Sequence, residues 1–391
     1  ARIVRSRVAG YRIGEESLVE GVTALECRRR SAFGNGTGVA TMNECGGRTV
    51  KIFDTMSAQV AYVLAIYRHR PQTIAALEAM IRSSNINKKG SDYYVAQGFI
   101  PSNIKRESVS CTLEYAYDDW AISRMAGAMG RDDVAREYAQ RALNYANVFD
   151  GSTCFFRGRG TDGNWSEPFE EFATGRDYTE ATPWHYRFFV PHDVNGLAGL
   201  FGSREAFVRE LDRLFTLESD EMQLDVSDVT GLMGQYAHGN EPSHHMAYLY
   251  NYVGQPWRTQ ELTRSLLHGM YAPTPAGIIG NEDCGQMSSW YVLSAMGFYP
   301  VNPSLGIYVL GSPKFSEMTI RTENGKKFTV KAEGNSERNI YIQSAELNGK
   351  PYPYAYIRHS DIVKGGTLRL IMGPQPNREF GAAPEHRPFE R

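Results

Sequence analysis

"SVSCTLEYAYDDWAISRMAGAMG" (residues 108–130) runs directly into "RDDVAREYAQRALNYANVFD" (131–150). The first stretch opens on serines able to cap a helix and closes on Gly130, so both ends of one helix are marked. The second places Asp132 and Asp133 early, where a helix start favours anions, and repeats apolar residues at three-four spacing. Two helices joined by so short a link form an antiparallel pair, and a chain of such pairs is an α/α scaffold. The pattern continues in "PWHYRFFVPHDVNGLAGLFG", "SREAFVRELDRLFTL", "SHHMAYLYNYVG", "PWRTQELTRSLLHGMY" and "GQMSSWYVLSAMGFYP". It also reaches back into "FDTMSAQVAYVLAIYRHRP".

After Pro303 the period changes. "GIYVLGS", "EMTIRT", "KKFTVKAE", "RNIYIQSAEL", "YAYIRH" and "TLRLIMG" alternate, and "ENGK", "GNSE", "LNGK" and "KGG" separate them as turns. The expected fold class is therefore mainly α with a β-rich C-terminal module. The expected domains are an unassigned segment over 1–55, a helical domain over 56–303, and an antiparallel β module over 304–391. Between the helical pairs lies "GSTCFFRGRGTDGNWSEPFEEFATGRDYTEATPW" (151–184), too long for a plain connector and too aromatic for a disordered one.

The chain has 391 residues, 42% hydrophobic and 12% aromatic, enough for a substantial core. A formal net charge of −2 argues against nucleic acid or an anionic membrane surface as the partner. Five cysteines without metal spacing give no disulfide framework and no zinc site. No apolar run of about eighteen residues is present, so no membrane span is expected.

Chemistry concentrates in carboxylates. The tripeptide Gly-Asn-Glu occurs twice, in "GNEPSHH" (239–245) and "GNEDCGQMSSW" (280–290). Pro242 and Ser243 mark a helix start, so Glu241 sits at a positive helix end and is expected to stay ionised. That suits a hard-cation ligand, with the Asn240 carbonyl beside it. A capping turn reads equally well. Glu282 and Asp283 precede the next helix and are either dipole complements or a general base. Glu180, in "DYTEATPWHYRFFVPHD", lies outside the helix that Thr182 and Pro183 begin; burial against Trp184 or Tyr178 would raise its pKa, as a general acid requires. Glu114 with Asp118 reads as a buried polar network or a site wall, and His192 with Asp193 as a metal pair or a structural hydrogen bond. No phosphate loop, dinucleotide fingerprint, zinc-helix motif or nucleophile elbow occurs. Paired carboxylates on a helical, aromatic scaffold suit glycoside hydrolysis.

"HGNEPSHHMAYLYNYVGQPWRTQ", "GNEDCGQMSSWYVLSAMGFYPV", "SVSCTLEYAYDDWAI", "EATPWHYRFFVPHDVNGL" and "NIYIQSAELNGK" resemble glycoside hydrolase family 92, the calcium-dependent, inverting exo-α-mannosidases. The resemblance runs from about residue 95 to the end. It implies an (α/α)6 toroid, incomplete here because the family's N-terminal β-sandwich and early helices are missing, followed by a β-rich portion. It implies Glu180 as general acid, Asp283 as base with Glu282 as second choice, and Asn240 and Glu241 as ligands of a Ca²⁺ ion. It further implies that Trp184, His185 and His238 contact the sugar, that mannose-containing glycans are the substrate, α-1,2-linked ones first, and that the protein is secreted or periplasmic. A carbohydrate-binding remnant without catalysis is the competing expectation.

Overall fold

The computed structural model describes residues 39–45, 48–53, 71–86, 90–218, 229–322 and 324–389. The helical onset expected between Asp54 and Arg70 lies outside the described residues. A hairpin of β1 (Val39–Cys45) and β2 (Arg48–Phe53) stands within the segment left unassigned by sequence. Helices α1 (Pro71–Ser84), α2 (Ser91–Gln97), α3 (Ser108–Ala128) and α4 (Asp132–Arg141) follow. Next come α5 (Pro183–Tyr186), α6 (Val194–Leu200), α7 (Arg204–Thr216), α8 (Pro256–Gly269) and α9 (Gln286–Met296). Two-residue ladders pair β3 (Phe149–Asp150) with β4 (Phe155–Phe156), and β5 (Leu232–Met233) with β6 (Tyr236–Ala237).

The chain divides into two compact units. The smaller holds β1, β2, α1, the Asp118–Ala128 part of α3, and α4. Its core joins Leu77 and Met80 of α1 to Ala121, Ile122 and Met125 of α3 and Tyr138 of α4. The Tyr138 hydroxyl meets Ser84 Oγ at 2.7 Å, and Arg141 Nε donates to the buried Asp119 carboxylate at 3.0 Å. The acid pair of "YDDW" is thus partly absorbed by structure: Asp119 neutralises a cation on the next helix.

The larger unit holds the rest. Its main core is aromatic, with Trp184, Tyr186, Phe188, Tyr236, Tyr248 and Trp290 among its buried side chains. Arg187 is buried there too, with its guanidinium 4.0 Å from the Phe155 ring centroid and 2.8 Å from Glu210. Burial lowers its pKa to about 10, a shift the Glu210 carboxylate opposes. Ser203 is the N-cap of α7, its Oγ accepting from Ala206 N at 3.1 Å.

The C-terminal region forms two sheets around a separate core of Phe328, Val330, Ile342, Leu368 and Leu370. Strands β7 (Phe298–Tyr299) and β8 (Ile307–Leu310) are followed by β9 (Glu317–Arg321), β10 (Lys327–Glu333) and β11 (Tyr341–Leu347). Then come β12 (Lys350–Pro351), β13 (Tyr356–Arg358), helix α10 (His359–Lys364) and β14 (Gly366–Gly373). The three-stranded sheet, β13-β8-β7, is antiparallel. The five-stranded sheet runs β12-β11-β14-β10-β9, and its β10–β14 pair is parallel. A succession of simple hairpins is therefore interrupted: β14 enters between β10 and β11. Alternation specifies which face of a strand is buried, not its neighbour.

Candidate active site

Glu180 occupies a loop pinned to the start of α3. Glu107 N donates to Arg176 O at 2.6 Å, Val109 N to Asp177 O at 3.0 Å, and Thr179 N to Ser110 Oγ at 2.9 Å. Ser108 Oγ donates to the buried Asp177 carboxylate at 2.9 Å. Burial raises the Asp177 pKa, and the Ser108 bond pulls it back. Gly175 N closes the loop on Ala181 O at 3.2 Å. Thr182 is the helix N-cap and Pro183 the first turn, as the sequence indicates, and His185 Nδ1 reaches back to accept from Thr182 N at 3.2 Å. Glu180 has φ +52°, a left-handed backbone that a side-chain-bearing residue adopts at a cost of about 1–3 kcal/mol. The expected burial of Glu180 is not found. Tyr178 and Trp184 turn into the core while Glu180 remains exposed.

The first Gly-Asn-Glu connects directly to that loop. Asn240 is buried; its Nδ2 donates to Glu180 O at 2.9 Å and its Oδ1 accepts from Glu241 N at 3.1 Å. One amide side chain thus joins two of the predicted residues. The helix expected after Glu241 is instead two 3₁₀ segments, Glu241–Ser243 and Met246–Asn251. A three-residue turn has little macrodipole, so the expected protection of the Glu241 charge fails. Its pKa is raised, first by loss of hydration around the carboxyl, then by Asp283 and Glu180, while its own backbone N–H opposes the rise. Asp283 and Glu180 are thus the two acids near enough to act on the Glu241 carboxyl.

The second Gly-Asn-Glu lies against the first. Gly239 N donates to Thr230 O at 3.0 Å. A Cβ on Gly280 would fall 2.7 Å from Thr230 Oγ1 and 3.1 Å from Gly239 Cα. A Cβ on Gly239 would overlap Thr230 Oγ1 outright. Thr230 therefore sits where the two glycines meet, and both must be glycine for the turns to approach. Beyond the glycines the copies diverge. Glu282 spends both carboxylate oxygens on Ser288, accepting from its N at 3.1 Å and its Oγ at 2.8 Å, and so caps α9. Asp283 carries φ +50° and is exposed.

Trp184, His185 and His238 lie beneath the surface, each fully buried. The Tyr271 hydroxyl donates to Met287 O at 3.2 Å, so His238 Nε2–H donates to Tyr271 at 2.8 Å and Nδ1 accepts from Tyr236 at 2.8 Å. Gln286 Nε2 donates to His244 Nδ1 at 3.0 Å, and His244 Nε2–H in turn donates to His238 O at 2.8 Å. Burial lowers His238 to about 3 and His185, His244 and His245 to about 4, so all are neutral at pH 7. Sequence reasoning did not find Thr230 or Tyr271, which no spacing links to either turn, and did not single out Gln286, three residues after Asp283. Among the described residues, no group of three or more His, Cys, Asp or Glu side chains is arranged to hold a metal ion. No described helix is long and apolar enough to cross a membrane.

Carboxylates at loop ends on a helical, aromatic-cored scaffold fit the chemistry of a glycosidase. The chain belongs to glycosyl hydrolase family 92: that family's catalytic-domain model matches residues 40–374, beginning well before the residue-95 limit that the sequence motifs suggest. It is 37% identical to a family GH92 α-mannosidase of Bacteroides thetaiotaomicron in complex with mannoimidazole, TM-score 0.81, covering 85% of this chain and 45% of that one. A family GH92 inverting mannosidase of the same organism is 35% identical, TM-score 0.77, covering 85% and 48%. A secreted glycosidase of Arthroderma benhamiae is 30% identical over 322 residues, 75% of this chain and 39% of the relative. The chain thus spans less than half the length of these relatives.

Proposed function

We propose that the chain removes terminal α-linked mannose from glycans with inversion of configuration. The observation that carries this is the buried Asn240 side chain, which ties the Glu180 loop to Glu241, with Asp283 near the Glu241 carboxyl. Glu180 serves as general acid, giving its proton to the glycosidic oxygen as the bond to the leaving sugar breaks. Asp283 serves as general base, taking a proton from the water whose oxygen bonds the anomeric carbon from the opposite face. Glu282, held by Ser288, is assigned the capping role and not the base. Trp184, His185 and His238 are assigned to the sugar site from below, as the buried floor that fixes the loops above them.

The donor chemistry around Asn240 and Glu241 suits calcium. An amide oxygen with one lone pair still open and a carboxylate crowded by like charges are hard-oxygen groups that a divalent cation would satisfy. Asn240 and Glu241 would hold it, water and sugar hydroxyls completing a shell of the usual size. When bound, calcium supplies polarisation of the sugar hydroxyls it contacts. The relationship to a secreted glycosidase supports action outside the cytoplasm. Release of mannose from α-1,2-linked mannobiose, abolished by EDTA and restored by Ca²⁺, is the expected result. Sugar binding without turnover would support the second reading, a carbohydrate-binding remnant.

A further inference from the structure

The long segment between β4 and α5 is built, not merely connecting. It closes a hairpin over Gly158–Ser166: Arg159 and Trp165 form an antiparallel bridge, Gly160 N donates to Asn164 O at 2.9 Å, and Ser166 N donates to Gly158 O at 2.8 Å. The hairpin is tied sideways to the segment before α3. Ser102 N donates to Arg159 O at 2.8 Å, Thr161 N to Asn103 Oδ1 at 3.0 Å, and the Ser102 and Ser166 hydroxyls meet at 2.6 Å. The Arg159 guanidinium sits 4.8 Å from the Trp165 ring centroid and is itself held by Asn147 O and Gly163 O, so the indole is braced.

These bonds hold open a cleft of about 330 Å³. That is the lower end of the range for small-molecule sites, roughly 300–1,000 Å³. Its walls carry the amides of Asn103 and Asn164, the Thr161 hydroxyl, the Asp162 carboxylate, the Arg176 guanidinium and the Trp165 indole. Asn164 donates to both Asp162 oxygens, at 2.8 and 3.1 Å, which holds Asp162 below the ordinary carboxylate range and ionised. The charges balance, so the cleft selects neither anions nor cations. Amides and hydroxyls are interspersed with apolar surface along it, and a single carboxylate is too few for a metal. Alternating donors and acceptors with one indole beside them match a neutral polyhydroxylated ring.

We propose that this cleft is a second carbohydrate-binding site, taking one pyranose ring of a longer glycan; this rests on the reading that glycans are the substrate. Arg176, on its rim, shares with Glu180 the loop that Gly175 and Ala181 close. The test uses the whole protein labelled with fluorotryptophan and read by fluorine NMR, with α-1,2-linked mannotriose as probe. The Trp165 signal, assigned by Trp165→Phe, is expected to shift saturably while those of buried Trp184 and Trp290 stay fixed and report an intact fold. Thr161→Ala and Asn164→Ala are each expected to weaken the titration at least tenfold; the first keeps the backbone bonds of the hairpin if the second disturbs them, and loses the bond that Thr161 Oγ1 accepts from Asn103 Nδ2 at 3.1 Å. An Asp283→Asn background blocks the proposed hydrolysis and is expected to leave the Trp165 shift intact. A Trp165 signal unmoved by saturating mannotriose, or a midpoint unchanged in both variants, overturns the proposal. A Trp165 shift in a protein that releases no mannose removes the mannosidase reading and keeps the cleft; mannose release with a silent Trp165 does the reverse.

Discussion

The two Gly-Asn-Glu turns share three residues and almost nothing else. In the first, Asn240 is buried and ties Glu241 to the Glu180 loop, and Glu241 points its carboxyl toward two other acids. In the second, Asn281 is exposed, Glu282 is tied to Ser288, and the residue after the tripeptide, Asp283, meets Glu241. Their common element is the glycine, and it serves a shared purpose: both lie against Thr230, where a side chain would hold the turns apart. Repetition of a short motif therefore marks a shared packing need, while the residues after each glycine decide the chemistry.

The largest test of that contrast is catalytic. Asp283→Asn is expected to lower kcat by about a hundredfold or more, the usual worth of a positioned general base. Glu282→Gln is expected to leave kcat within about threefold. Mannose release measured on purified variants checks both. Equal losses would erase the distinction between the turns.

Substitution of the glycines sharpens it at the level of packing. The severe overlap of a Cβ on Gly239 is with Thr230 Oγ1, and Gly239 has an ordinary backbone, so Thr230→Ala is expected to restore much of the stability that Gly239→Ala removes. Gly280 has φ +68°, so Gly280→Ala keeps a backbone cost of about 1–2 kcal/mol whatever stands at 230. Thermal unfolding of the two single and two double variants separates these outcomes; rescue of both or of neither would contradict the wedge at Thr230. Beside these, Glu282→Ala is expected to cost about 1 kcal/mol through the lost bonds from Ser288 at the start of α9, read as a small drop in Tm.

The smallest effect is with pH. His185 beneath the Glu180 loop and His245 after the first turn are held neutral, with folded pKa values of about 4 against an ordinary 6.5. Between those values the unfolded chain binds protons that the folded chain refuses, so stability falls as pH falls through the window. Going from pH 7 to 6 is expected to cost about 0.7 kcal/mol for each imidazole. Denaturant titrations at the two pH values check this, and a flat profile would mean that the rings titrate in the folded chain as they do in the unfolded one.

Local signals explain what the sequence made legible. Thr182 and Pro183 start α5, the stretch opening at Ser203 forms α7, and each alternating stretch after Pro303 became a strand, because caps and periodicity act within a few residues. The rest depends on contacts between distant segments. The insertion of β14 between β10 and β11, the 3₁₀ geometry after Asn240, the exposure of Glu180 and the wedge at Thr230 are tertiary choices, which outrank local preference. Glu282 and Asp283 illustrate the limit most directly. Adjacent acids at one helix start look alike in sequence; only the Ser288 bonds tell them apart.

The most direct test of the central claim is the initial rate of mannose release from α-1,2-linked mannobiose by the unaltered chain, Asp283→Asn and Glu282→Gln in parallel, with Ca²⁺ present. The account predicts turnover by the unaltered chain, near-equal turnover by Glu282→Gln, and at least a hundredfold loss in Asp283→Asn. No turnover by the unaltered chain, or a loss that falls on Glu282 in place of Asp283, would contradict it.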